Sequence, residues 1–468
     1  MYLRGRRRIV GIIEKLYENL YKKQDQEVLF AANEAAATHA GAELGGANDD
    51  RARSSVMSGM RARLRAMMFL EYFVWGAWYV TLGTYLARTL QFSGQQVGWA
   101  AGTTAVGAMI SPFFVGFIAD RWFATQKVLA SLHALGAALL WFASQQQTFG
   151  WVYAFVLLYS LVYMPTLALT NSLAFRQLSD PKQQFGFIRV FGTLGWIVAG
   201  LIVGNLDIEA TALPMQIAAG ASLVMAAYCL TLPDTRPLAR AAPSDDSSSS
   251  FSTAALALFR GRSMAAFAIA SFLICVPLQF YYAFTNLFLN EIGVANAAAK
   301  MTGGQMSELL GMLLIPWFFR RLGVKYMLAL GMLAWVIRYV LFAYGQPGAY
   351  MWMLWGGILL HGICYDFFFV VGQIYVDREA PVALRAAVQG MITFLTYGIG
   401  MFVGSWLSGW VVDAYANAAG AGAAMHAWTS IWLVAAACAG AVLVLFLLAF
   451  SERRATVDRA QMPADQHA

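Results

Sequence analysis

Charge is what this chain has least of: Asp, Glu, Lys and Arg together make up 12% of its 468 residues, about half the share in an ordinary soluble domain. Paired cysteines are missing as well. Cys229, Cys275, Cys364 and Cys438 each lie inside an apolar run with no paired or metal-like spacing, so neither a disulfide nor a metal site is expected. Residues 1–56 contain no apolar h-region, which excludes a signal peptide of the secretory type. The chain has neither an H-E-x-x-H zinc helix nor a G-x-S-x-G nucleophile turn. That argues against an intramembrane enzyme, and nothing asks for a cofactor. A net charge of +7 does not signal nucleic acid, because the basic residues are scattered singly or in pairs with no aromatic-interleaved module.

What the chain has in abundance points to lipid. Hydrophobic residues make up 59%, with fifteen Trp and twenty Tyr, the residues that favour a membrane interface. A bilayer core takes about 20 apolar residues per helical crossing. Twelve such runs lie near 68–88, 95–119, 127–146, 150–174, 188–206, 212–232, 264–290, 298–319, 325–345, 350–375, 385–411 and 426–450. One long polar break, "PDTRPLARAAPSDDSSSS", separates the sixth from the seventh; rich in Pro, Ser and Asp, it has too little apolar surface to pack. The predicted plan is therefore an extension (1–56), a six-helix half (57–232), a cytoplasmic linker (233–263), a second six-helix half (264–450) and a tail (451–468). The extension opens on a basic amphipathic stretch, "RGRRRIVGIIEKLYENLYKK". It reads either as a helix on the inner membrane surface or as the product of a start assigned upstream of Met57 or Met60.

Charge sets the expected orientation. With the N-terminus inside, the inner connections hold Arg61, Arg63, Arg65, Lys127, Arg176, Arg236, Arg320, Arg321, Lys325, Arg378, Arg385 and others, and the outer ones little beyond Arg88 and Lys300. Such an imbalance predicts a bacterial inner-membrane protein with both termini cytoplasmic. Two six-helix halves joined by an inner loop resemble the plan of the major facilitator transporters, whose substrate site lies between the halves near the bilayer midplane. "GFIADRWFATQK" at 116–127 resembles that superfamily's Gly-x-x-x-Asp-Arg motif, with Gly116, Asp120 and Arg121 in the matching places. The resemblance implies a gating role for these three and no contact with substrate.

An ionised group at the bilayer centre costs a few kcal/mol or more, so such groups face a bundle interior or a wet cavity. The candidates are Glu71, Arg189, Glu308, Arg338, His361 and Asp366, with Asn171, Thr193, Gln279, Asn286, Gln305, Gln373 and Gln389 at compatible depth. Helical spacing groups Arg189 with Thr193 and Trp196, Gln279 with Tyr282 and Asn286, Gln305 with Glu308, and Asp366 with Gln373. Arg, amides, aromatics and two acids suit a flat, polar, mostly uncharged solute, paired at its edges and covered on its face. The bland reading of Glu308 is an ion pair with Arg189 or Arg338; of His361, helix packing; of Arg338, a side chain snorkelling to the outer end.

The motifs "WGAWYVTLGTYL" (75–86), "YMPTLALTNSLAF" (163–175), "IRVFGTLGW" (188–196), "QMSELL" (305–310), "IRYVLFAYG" (337–345), "YDFF" (365–368) and "LRAAVQGM" (384–391), in this order, resemble the nucleoside:proton symporter family of that superfamily over nearly all of residues 67–450. The resemblance implies an all-α membrane protein of twelve helices that takes up nucleosides with protons. It implies a substrate site at Arg189, Thr193, Trp196, Gln279, Tyr282, Gln305, Glu308 and Asp366, with Asp366 or Glu308 as the proton carrier. We favour Asp366 for the proton and Glu308 for the substrate, since a buried carboxylate can gain and lose a proton as its surroundings change. The chain departs from the family pattern at Tyr282 and Phe369, where the permeases have Asn, and at His361, where they have Tyr. These positions leave open another polar solute, such as a sugar or a modified nucleoside. The expected partners are nucleoside, protons and the bilayer, and the expected working unit is a single chain.

Overall fold

The computed structural model describes residues 47–114, 123–235, 254–416 and 426–451. The 1–46 segment, the Gly116, Asp120 and Arg121 motif, the centre of the 233–263 linker and the tail beyond 451 lie outside the described residues. Long-range contacts divide the chain at Gly59, and the transmembrane helices from Met60 onward form one compact unit.

Among the described residues the fold is helical. The first half holds α1 (Ala47–Trp78), α2 (Gly94–Phe114), α3 (Thr125–Ser144), α4 (Phe149–Gln177), α5 (Pro181–Asn205) and α6 (Leu213–Cys229). The second holds α7 (Arg262–Glu291), α8 (297–322), α9 (324–344), α10 (Met351–Glu379), α11 (Val382–Ala414) and α12 (Trp428–Ala449). α8 and α9 run on as one 48-residue helical stretch, broken only where Gly323 takes φ 68°, a conformation that costs glycine little. Eight stretches are long and apolar enough to cross a bilayer, that double one among them. α1, α2 and α6 complete the twelve: α1 is rich in arginine near its start, α2 in Gly, Gln and Thr, and α6 spans 17 residues.

The helices are not uniform rods. Pro165, Pro277 and Pro316 sit inside α4, α7 and α8, where the ring removes one backbone donor and bends the helix. π-turns occupy Asp366–Val370 in α10 and Phe394–Gly400 in α11, each rotating the later part of its helix relative to the earlier part. The expected common face of Asp366 and Gln373 is lost for this reason: Asp366 is buried and Gln373 is exposed. The first crossing is interrupted too, since α1 stops at Trp78 and a π-turn covers Tyr85–Thr89. Large apolar side chains such as Trp151, Leu310, Leu314 and Leu448 point outward, as they do where the surrounding medium is lipid.

The halves meet tightly at the end carrying the 206–212 and 291–297 connections. A side chain on Gly83 of the first crossing would strike the Ala283 carbonyl of α7, and one on Gly98 of α2 would strike the Ser405 carbonyl of α11. Two carboxylates then latch this end. Glu209, after α5, accepts from the backbone N–H of Ala298 at the start of α8 (2.8 Å) and from the amides of Asn286 (2.8 Å) and Asn290 (2.7 Å) on α7. Asp413, near the end of α11, accepts from the backbone N–H groups of Gly94 and Gln95 at the start of α2, the second at 2.9 Å. Each acid thus caps a helix of the opposite half, where the helix N-terminus carries partial positive charge.

Candidate substrate cavity between the two halves

A cavity of about 170 Å³ lies between the halves. α5 contributes Arg189, Thr193 and Trp196 from three successive levels of one face. The first crossing contributes Tyr72, Trp75 and Tyr79 in the same way, and α2 contributes Thr104. The opposite wall is Tyr282 of α7, Gln305 and Glu308 of α8, His361 and Tyr365 of α10 and Tyr397 of α11.

The aromatic groups form a continuous lining. The Trp75 and Trp196 rings meet edge to face at 5.3 Å, Tyr79 and Tyr282 approach to 6.2 Å across the halves, and Tyr282 meets His361 edge to face at 6.1 Å. Within this lining the Tyr365 and Tyr397 hydroxyls hydrogen-bond to each other. The Arg189 guanidinium lies 4.0 Å above the Tyr72 ring, an arrangement that holds the cation by its attraction to the π face. Arg189 is also within electrostatic reach of Glu308. One cation, one carboxylate, an amide, hydroxyls and several flat rings therefore surround one small volume.

Six of the eight expected substrate residues share this cavity: Arg189, Thr193, Trp196, Tyr282, Gln305 and Glu308. Gln279 and Asp366 do not line it. Gln279 is fully buried in α7, beside the Tyr79 hydroxyl of the cavity wall. Asp366 is fully buried one layer behind the wall, with neither carboxylate oxygen hydrogen-bonded among the described residues. Its Oδ2 lies against Gly311 of α8, where any side chain would collide with it. Gly311 stands about one helical turn beyond Glu308. Asn286, expected on the Gln279 and Tyr282 face, instead joins the Glu209 latch.

One bland reading needs correction. Arg338 does not snorkel: it is fully buried, its guanidinium 3.4 Å above the Tyr281 ring and 3.1 Å from His361 Nδ1. His361 lines the cavity as well as packing between helices. Tyr72, Trp75 and Tyr79 join the site without having been expected there, although their i, i+3, i+7 spacing marks one helical face. Glu209 left no signal at all, because its partners on α7 and α8 are more than 75 residues away.

Residues 58–455 match the family described as Nucleoside H+ symporter. The chain belongs to that family. It is 42% identical over 401 residues to YegT of Escherichia coli (strain K12), covering 84% of this chain and 94% of that one. It is 35% identical over 403 residues to the xanthosine permease of the same organism, covering 83% of this chain and 95% of that one. The crystal structure of the nucleoside transporter NupG superimposes with a TM-score of 0.77 at 31% identity, covering 84% of this chain and all of that one. The fold is therefore that of a membrane-spanning transporter in two six-helix halves.

Proposed function

We propose that the chain takes up nucleosides across a bacterial inner membrane together with protons, by alternating access around the cavity between its halves. The observation that carries this reading is that one cavity draws Arg189, Thr193 and Trp196 from one half and Gln305 and Glu308 from the other, in a member of the Nucleoside H+ symporter family. A ligand touching both halves adds its binding energy to their relative motion, and only differential contact with the two states moves such an equilibrium.

In this reading the Trp196 and Trp75 rings cover the base, Gln305 and Glu308 pair with hydroxyls or base edges, and Arg189 supplies a donor fork. Asp366 carries the coupled proton. An ionised carboxylate without a hydrogen-bond donor is costly to bury, and a proton removes that cost; wetting of this layer as the halves move would let the proton leave. No cofactor takes part, a single chain suffices, and the basic inner connections keep both termini in the cytoplasm.

A second reading, transport of a different polar solute, draws on Tyr282 and His361, which both line the cavity and both depart from the permease pattern. Reconstitution in liposomes decides between them. Labelled uridine should accumulate when an acid-outside gradient is imposed and be competed by other nucleosides but not by sugars. Accumulation without the gradient, or competition by sugars alone, overturns the first reading.

A further inference from the structure

The first half holds a second set of buried ionisable groups that the cavity does not use. Glu71 of α1 and His133 of α3 are fully buried, with Nε2 of the ring 3.0 Å from Glu71 Oε2. Nδ1 of the same ring lies 3.1 Å from Ser222 Oγ of α6, and that hydroxyl donates to the His133 carbonyl at 2.9 Å. Thr166 Oγ1 of α4 lies 2.6 Å from Glu71 Oε1 and 2.6 Å from the Tyr163 carbonyl. The Tyr163 hydroxyl donates to the Glu71 carbonyl at 2.6 Å.

Counting donors fixes where protons reside. Ser222 spends its one proton on the His133 carbonyl, so Nδ1 must be the donor in its contact with Ser222. Nε2 therefore either carries the second ring proton toward a carboxylate or presents a lone pair to a carboxylic acid. Either way one proton occupies the gap between Nε2 and Oε2. Without it a lone pair faces a carboxylate in a site with no exposed surface, an arrangement that is costly to bury.

We propose that Glu71 and His133 form a second proton-binding site in the first half, acting on the cavity through Tyr72 and Arg189. A proton from cavity water takes the pair from a net charge of −1, neutral imidazole and carboxylate, to zero. Tyr72, the next residue after Glu71, carries Arg189 on its ring, so that charge change occurs one residue along α1 from the ring that holds the cation of the cavity wall. The groups facing the pair are Tyr72 on α1, Tyr159 and Tyr163 on α4, Cys229 on α6 and, through Tyr72, Arg189 on α5. The pair's link to transport rests on the proton-coupled reading above; its proton binding does not.

The test uses the full chain in liposomes and reads the two parts separately. Infrared difference spectra between acid and alkaline buffer should show carboxyl and imidazole bands that change together in the wild type. Glu71→Gln should remove the carboxyl band and His133→Asn should shift it. In nucleoside-transporting liposomes, the protons moved per nucleoside, read from the reversal potential, should fall by one in Glu71→Gln while exchange without a gradient persists. Unchanged bands and unchanged stoichiometry in a folded Glu71→Gln protein overturn the proposal. If Glu71→Gln does not fold, the same two readouts on His133→Asn decide it. A wild type without paired titrating bands overturns it whatever the variants do, and a wild type that moves no nucleoside defeats the transport reading while the spectra still judge the pair.

Discussion

Asp366 separates two ways of using a buried acid. Among the described residues it has no hydrogen-bond partner to lose, so Asp366→Asn should fold as stably as the wild type or more so, since it removes a group that is costly to bury when charged. If Asp366 carries a coupled proton, this variant should exchange nucleoside across liposomes while moving one proton fewer per nucleoside, so that a given pH difference concentrates it less. An unchanged proton count would move that role to Glu308. In the cavity itself, Gln305→Ala and Glu308→Gln should each weaken nucleoside binding by about 1–3 kcal/mol, the cost of leaving a desolvated partner without its hydrogen bond. Calorimetry on the purified variants checks this, and unchanged affinity in both would make the α8 contribution structural. At this scale the sequence was informative where one helix face held the whole signal, as for Arg189, Thr193 and Trp196. It was silent where a partner came from another helix, as His133 does for Glu71 across 62 residues.

Helix ends carry the next level of control. Glu209 and Asp413 each cap a helix of the opposite half, and removing such a cap costs about 0.5–2 kcal/mol. Because these caps exist only while this end of the bundle is shut, Glu209→Ala should raise the open population about twofold to thirtyfold. The measurement is the rate at which an impermeant maleimide, added outside, labels Thr302→Cys at the buried start of α8. Cys229, Cys275 and Cys364 are buried and Cys438 is half-buried, which keeps the background low. A labelling rate that ignores Glu209→Ala would show that the glycine contacts of Gly83 and Gly98 hold the end shut without the acids. The π-turns belong to the same scale: no periodicity of 3.6 anticipates them, and the one at Asp366–Val370 decides which way the second half of α10 faces.

For the molecule as a whole, the arrangement is a cavity walled by both halves and a latched end in which each half donates one acid to the other. Such reciprocal closure fits a carrier that rocks about a central site. The orientation is testable directly: with the basic connections inside, a fluorescent protein fused after the tail should fold and fluoresce, and an alkaline phosphatase fused there should be inactive. The opposite pattern would turn the whole chain over, making the latched end the cytoplasmic one.

The sequence by itself determined that this is a twelve-helix membrane protein and which polar residues must avoid lipid. Both rest on local costs: every crossing needs its own apolar length and satisfies its own backbone, and every buried charge is expensive wherever its partner lies. Only the tertiary structure decided who meets whom. It put Glu308 on the cavity and Asp366 behind it, sent Asn286 to Glu209 and joined Glu71 to His133. Those pairings depend on how each helix is rotated, which in α7, α8 and α10 includes the prolines and the π-turn they contain, and each is set by close packing against neighbours that lie far away in the chain.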